Sequence, residues 1–236
     1  MRRRLALTAV GAAVLAMAGG IVVSVATAAP ASATLLPKVI ALPDGHQPEG
    51  IATKGVNFYV GSVADGAIVG GNVLTGRVTP FVAGTPGDAT PGLEVSGDLL
   101  FAAGAGTGTV NVYDLRTGRK LADRRVAPAG ESFINDVSAR TGVTRQVDLG
   151  GASLTNGDGL LRRGDTLYVM RNQFNQIVRI ELGRNYASGQ VTGTITDPNF
   201  DTPTTIAAWG PFLYAVNARL TTPPTPTTAY TVVRVP

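Results

Sequence analysis

One pattern in this chain limits its fold more than any other: a repeat of about 42 residues punctuated by the same turn. Thr75-Gly76-Arg77 recurs as Thr117-Gly118-Arg119, 42 residues on, and looser forms stand at Thr141-Gly142-Val143 and Ser188-Gly189-Gln190. An alternating apolar segment precedes most of these turns, as in Val110-Asn111-Val112-Tyr113 and Ile177-Val178-Arg179-Ile180, and another short β-rich run follows each one. Further upstream lie Phe58-Tyr59-Val60-Gly61, Leu100-Phe101-Ala102-Ala103, Leu167-Tyr168-Val169 and Phe212-Leu213-Tyr214-Ala215. Before those come short apolar runs at Ile51, Leu93, Ile134, Leu160 and Ile206. Four short strands per unit of this length is the signature of a β-propeller blade.

Composition agrees with many short strands and tight turns. The 236 residues include 30 Gly and 15 Pro, and only 15% are charged. After residue 34 no stretch keeps a helical period; the longest run free of Gly and Pro, Asp165–Leu182, is split by the polar Arg171-Asn172-Gln173. The absence of Cys excludes disulfides, thiolate metal sites and a cysteine nucleophile, and the single histidine, His46, excludes a two-histidine metal site.

The spacing also breaks once. From Gly118 to Gly142 is 24 residues, with an inner strand expected at 133–137 running straight into the turn before an outer strand at 144–149. The fold expected is therefore all-β: a propeller of four-stranded blades, about four complete, plus a hybrid blade at 133–150. The orphan strand Pro37–Leu42 is expected to pair as the outer strand of the last blade, closing the ring and covering its edge.

Met1-Arg2-Arg3-Arg4, an uncharged stretch to Val25 and small-residue sites ending at Ala33 have the layout of a secretory signal peptide over residues 1–33. A single propeller domain is expected over 34–236, in a secreted or cell-envelope protein. Losing three arginines leaves 17 basic against 16 acidic residues, so the sequence pI is no footprint for nucleic acid. The partner expected is a small-molecule substrate or other ligand, with no nucleic acid, no membrane after cleavage, and a monomeric state.

Inner strands of a propeller converge on the channel, so polar residues at their starts can form one site. In order these are Glu49, Glu94, Asn135-Asp136, Asn156 with Asp158, and Thr204-Thr205. Carboxylate and amide oxygens are hard donors suited to Ca²⁺ or another divalent cation. Such an ion polarises a carbonyl or lowers the pKa of water without His or Cys. The opposing readings are plain: Asn156-Gly157 and Asp158-Gly159 are ordinary turn dipeptides, and Glu49 and Glu94 can be solvated strand ends. His46 is expected to be an exposed loop residue, Trp209 to pack between blades, and Gly104–Gly108 is no phosphate loop, since no helix or Lys-Ser/Thr follows it.

The series PEGIA (48–52), PGLEV (91–95), FINDV (133–137), TNGDGL (155–160) and TPTTIA (202–207), with Thr-Gly-Arg turns between, resembles the gluconolactonase/regucalcin-like family of six-bladed propellers, more narrowly its secreted actinobacterial members. The resemblance spans about residues 36–236 and implies hydrolysis of sugar lactones with a divalent cation, often calcium. It implies that Glu49 and Asp158 are metal ligands and that Asp158 is the water-activating base. Asn135, with Asp136 beside it, and Asn156 are implied at the substrate. Two departures accompany it. The stretch that carries the family's middle-blade Asn is absent, a loss of about 60 residues by the repeat arithmetic. Phe133 also stands where sugar-lactone hydrolases of the family often hold an Arg. The expectation is a metal-dependent lactone or ester hydrolase whose activity the missing segment impairs. The alternative is a non-catalytic extracellular propeller that binds a ligand or protein partner.

Overall fold

A computed structural model describes residues 36–130, 147–184 and 186–236. The expected leader (1–33), the inner strand at 133–137, and with it Asn135 and Asp136, lie outside the described residues. Residues Leu35–Pro236 fall in one compact unit.

The strands are short because side chains close the turns between them. Asn72 Oδ1 accepts the amides of Leu74 (2.9 Å) and Thr75 (3.1 Å), and Gly76, at φ +70°, donates back to the Asn72 carbonyl (2.8 Å). Asp114 repeats the device with Arg116 (3.1 Å), Thr117 (2.8 Å) and Gly118, also at φ +70°. The Thr-Gly-Arg triplet is thus the second half of an Asx-capped turn, with Gly at the position that needs left-handed backbone.

These turns connect four antiparallel four-stranded sheets. The first blade holds β2 (Pro48–Lys54), β3 (Asn57–Ser62), β4 (Ile68–Asn72) and β5 (Val78–Val82). The second holds β6 (Leu93–Ser96), β7 (Leu99–Ala103), β8 (Thr109–Asp114) and β9 (Lys120–Arg125). The third holds β10 (Gly157–Arg163), β11 (Thr166–Arg171), β12 (Gln176–Leu182) and β13 (Gly189–Thr196), with a 3-10 turn, Asn172–Phe174, between β11 and β12. The fourth holds β14 (Pro203–Trp209), β15 (Phe212–Asn217) and β16 (Tyr230–Val235). Its outer strand is β1 (Val39–Leu42), paired antiparallel with β16 from Val39↔Val233 to Leu42↔Tyr230. The fold is an all-β propeller, and the orphan strand closes onto the last blade as expected.

Alternation along each strand places apolar side chains between neighbouring sheets. Ile40, Phe58, Val60, Tyr214 and Val232 join the first and fourth blades, with Trp209 partly buried against them as expected. Met170, Ile177, Ile206 and Val233 join the third and fourth, and Tyr59, Ile68, Leu93 and Leu100 join the first and second. The inner strands stand in the row β6, β2, β14, β10, each beside the next.

The described end of the expected hybrid blade lies against the third blade. Asp148 makes a parallel bridge to Ser188, and its carbonyl accepts the Gly189 amide at 2.8 Å, while Val147, Leu149 and Leu154 pack against Val169, Val178, Ile180 and Leu182 of the third blade. Residues 147–149, the described end of the outer strand expected over 144–149, thus run along the edge of the third blade. Burying these apolar side chains against the third sheet outweighs the local turn-strand pattern.

His46 also differs from expectation: it is only 8% exposed. Long-range hydrogen bonds hold its loop down, Gly45 N–H to Thr228 O (2.9 Å) and Val63 N–H to Gln47 O (3.0 Å). His46 Nε2 lies 3.3 Å from the Val60 carbonyl. Burial lowers its pKa, opposed by the Val60 hydrogen bond and the charge of Asp65.

Two predictions follow from this packing. A Cβ on residue 50 would run into the Pro91 carbonyl, and one on residue 159 would lie 2.6 Å from Thr204 O, whereas residue 193 has open space. Gly50→Ala and Gly159→Ala should each lose about 1–3 kcal/mol in denaturant unfolding, and Gly193→Ala should stay within about 0.5 kcal/mol of the parent. Because the folded state disfavours protonated His46, its stabilising contribution is complete above the ordinary histidine value of 6.5 and is lost as pH falls. The unfolding midpoint should therefore drop between about pH 7.5 and about pH 5.5, and His46→Gln should flatten that profile.

Candidate functional site

Three inner strands begin with the same irregularity. Between Pro48 and Ile51 on β2 the chain advances one residue more than its partner β3. The same extra residue occurs between Gly157 and Leu160 on β10, and between Pro203 and Thr205 on β14. A bulge of this kind bends the strand and re-aims the side chains within it. The residues inside the bulges are Glu49 with Gly50, Asp158 with Gly159, and Thr204. The polar strand starts picked out by sequence are thus structurally equivalent at these three positions. Glu94 is not: the residue before β6 that matches Glu49 is Pro91, and Glu94 sits three positions deeper, level with Ala52.

Neighbouring strands are locked together at this level. Thr204 Oγ1 donates to the Glu49 carbonyl at 2.8 Å, fixing β14 to β2. Gly159 lies flat against the backbone of Thr204 and Thr205, fixing β10 to β14, and Gly50 does the same against Pro91 and Gly92. Glu49 and Asp158 therefore occupy the two strands that flank Thr204. The Glu49 Oε2 atom is fully buried.

Asp158 is held from the third blade's 3-10 turn. Asn172 Nδ2 donates to Asp158 Oδ2 at 2.8 Å. Its amide orientation follows from the other end: Asn172 Oδ1 accepts the Gln173 N–H at 2.6 Å, so the nitrogen must face the carboxylate. Asn175 closes the turn in left-handed conformation (φ +50°) and accepts the Thr202 N–H at 2.8 Å, which ties the turn to the fourth blade. Sequence reading noticed Arg171-Asn172-Gln173 only as a polar break and missed Asn172. That break was the available signal, since an apolar alternation interrupted by polar residues at a strand end marks a loop at the site's end of the sheet.

Asn156 is a half-buried turn residue at φ +60°, and its Nδ2 donates to Gln173 Oε1 at 2.9 Å. It therefore braces the loop beside Asn172. Asn156-Gly157 is the plain turn of the alternative reading, whereas Asp158-Gly159 belongs to the bulge of β10.

Beyond the bulges the four inner strands enclose a channel segment of about 570 Å³, lined by Ile51–Thr53, Leu93–Val95, Leu160–Arg163, Leu167 and Thr205–Ala208. Among the described residues no three His, Cys, Asp or Glu side chains converge as a metal-binding group. Among the described residues the carboxylates at the bulge level are those of Glu49 and Asp158, and Asn172 turns its nitrogen toward the latter.

No protein-family model matches the chain, and no curated relative matches it by sequence. Solved structures do match by fold. The major Malassezia sympodialis allergen Mala s 1 superimposes with a TM-score of 0.58 at 14% identity, over 85% of this chain and 96% of the allergen. Myxococcus xanthus glutaminyl cyclase superimposes with a TM-score of 0.56 at 12% identity, over 86% of this chain and 97% of the enzyme. At these identities the likeness is one of fold, and it places the chain among β-propeller-like structures.

Proposed function

We propose that this protein is an exported, gluconolactonase-like propeller in which Glu49 and Asp158 hold a divalent cation, calcium by donor chemistry, and which hydrolyses a lactone or ester. The observation that carries this reading is the pair of matched bulges, which bring two carboxylates from distant parts of the sequence to the strands on either side of Thr204. Hard carboxylate oxygens suit calcium, and a carboxylate with a buried oxygen such as Glu49 gains from a counter-charge. The cation, when bound, supplies Lewis-acid polarisation of the carbonyl and a more acidic water. Asp158 accepts the proton of the attacking water through its carboxylate, with Asn172 keeping Oδ2 in place. Asn156 steadies the Asn172 loop, and Asn135 and Asp136 are assigned by family resemblance to the substrate. Export follows from the leader-like residues 1–33.

A second reading, a non-catalytic propeller that binds a ligand, is favoured by one fact: the described residues supply two carboxylates and no third acidic or histidine ligand. Thermal unfolding with calcium and with a chelator separates the two. On the first reading, calcium at about one hundred times its dissociation constant raises the midpoint by roughly 5–10 °C. Asp158→Ala and Glu49→Gln should abolish that shift, and Asn172→Ala should reduce it while leaving the calcium-free midpoint within about 3 °C of the parent. Lactone hydrolysis should disappear with Asp158→Ala. A midpoint indifferent to every divalent ion, with no hydrolysis of lactones or esters, sinks the first reading in favour of the second.

A further inference from the structure

In each of the four described blades the second strand carries an aromatic ring at its third residue: Tyr59, Phe101, Tyr168 and Tyr214. Opposite that ring on the next strand stand Val112, Arg179 and Arg234 in the second, third and fourth blades, but Gly70 in the first. Glycine inside a strand costs stability, and it marks a packing need, an unusual backbone or a place kept clear. Neither of the first two applies to Gly70. A Cβ built there would meet Phe81 and Tyr59 at 3.7 Å, an ordinary contact, and its backbone is not left-handed. Gly71 differs, since a Cβ on it would run into the Phe58 ring.

The place kept clear is the floor of a groove of about 430 Å³ lined by the first blade alone. Register puts its side chains on one face of the sheet. Asn57 and Tyr59 on β3 pair with Asn72 and Gly70 on β4, and Gly70 pairs with Thr79 on β5. Half-buried Phe81 lies against Tyr59 with ring centres 4.9 Å apart, and Tyr59 itself is buried. Asn57, Arg77 and Thr79 stand exposed around the groove. Among the described residues none of these three side chains has a hydrogen bond or an ion pair. The backbone of Arg77 is nonetheless fixed: its carbonyl accepts the Asn72 amide at 2.9 Å, and its N–H donates to Thr75 Oγ1 at 3.3 Å.

We propose that this groove binds a hexuronic acid, with one face of the pyranose ring on the bare backbone of Gly70 and on Phe81, its hydroxyls on Asn57 and Thr79, and its carboxylate on Arg77. The C–H face of a saturated ring gains from covering apolar surface, and its hydroxyls donate and accept as amide and hydroxyl side chains do. A guanidinium without a counter-charge matches a carboxylate through charge-assisted hydrogen bonds. The volume lies inside the range of small-molecule pockets. No residue of the groove belongs to the bulge level, so the site is separate from the proposed cation chemistry and needs no metal.

Titration of the parent chain with glucuronate and with a galacturonate trimer, followed by NMR with a chelator present throughout, tests it. At least one of the two should bind saturably, and the tighter one tells whether the free acid or a unit of a polymer is preferred. Methyl glucoside, which lacks the carboxylate, should bind at least about five-fold more weakly than glucuronate or the trimer, whichever is tighter. Arg77→Gln should remove that preference. Gly70→Val gives the first blade a side chain where the second carries Val112, and it should abolish binding without lowering the thermal midpoint. No saturable binding of either uronate, or a preference for the acid that survives Arg77→Gln, overturns the proposal. So does undiminished affinity in Gly70→Val. Arg77 is exposed, so its arm decides the matter even where Gly70→Val fails to fold. Because chelator is present, the result stands apart from the fate of the calcium reading.

Discussion

A carbonyl oxygen of Pro91 lies where any side chain on residue 50 would have to go, and the backbone of Thr204 and Thr205 does the same to residue 159. These close approaches set how near the inner strands come to one another. Three of the four strands accommodate them with an extra residue at the same height, and that residue carries the polar side chain. Close packing and the candidate site therefore share one level of the molecule. The glycine that lets one blade touch the next is adjacent in sequence to the residue that the bulge presents, as in Glu49-Gly50 and Asp158-Gly159.

Around that level the supporting groups come from loops at the ends of the middle strands. Asn172 reaches Asp158, Asn175 holds Thr202, and buried Asn217 bonds Asn199 O and Thr231 Oγ1 while accepting the Asp201 amide. Each is an amide side chain satisfying backbone or side-chain groups where sheet hydrogen bonds stop. Amides can do this at any pH, so the carboxylates they hold keep their geometry without a competing charge. His46 stands apart as a titratable group sunk in this region, with only a carbonyl for a hydrogen-bond partner and a carboxylate, Asp65, nearby. Its burial lowers its pKa and ties the loop between the fourth and first blades to the protonation of one imidazole.

The channel is polarised along its length. Glu49, Asp158 and Thr204 occupy the bulges, Glu94 lies deeper on β6, and Arg162 and Arg163 stand at the far end of β10. One extended strand separates Asp158 from Arg163 by about 16 Å, more than a small molecule spans. Inter-blade hydrogen bonds steady the far end as well, with Thr53 on Ala208 O (2.8 Å) and Lys54 on Gly97 O (2.7 Å). This firmness is what a recognition surface requires.

Sequence by itself determined the all-β class, the blade unit and the pairing of the first strand with the last, and it put Glu49 and Asp158 among the polar starts of the inner strands. All of these rest on local periodicity and on small residues beside polar ones, which a linear reading can register. It could not separate Glu94 from the bulge residues, because PGLEV and PEGIA differ only in where the acid falls relative to the glycine, and that offset matters only once strands are in register. It placed His46 in a solvent-facing loop, since the hydrogen bonds that bury it come from Thr228 and Val63. It had no means of choosing Asn172, whose role depends on a turn brought beside Asp158, or of foreseeing that Asp148 would edge the third blade. Tertiary structure decided these points because each is a contact between segments far apart along the chain, and the free energy of such contacts appears only when the blades have packed.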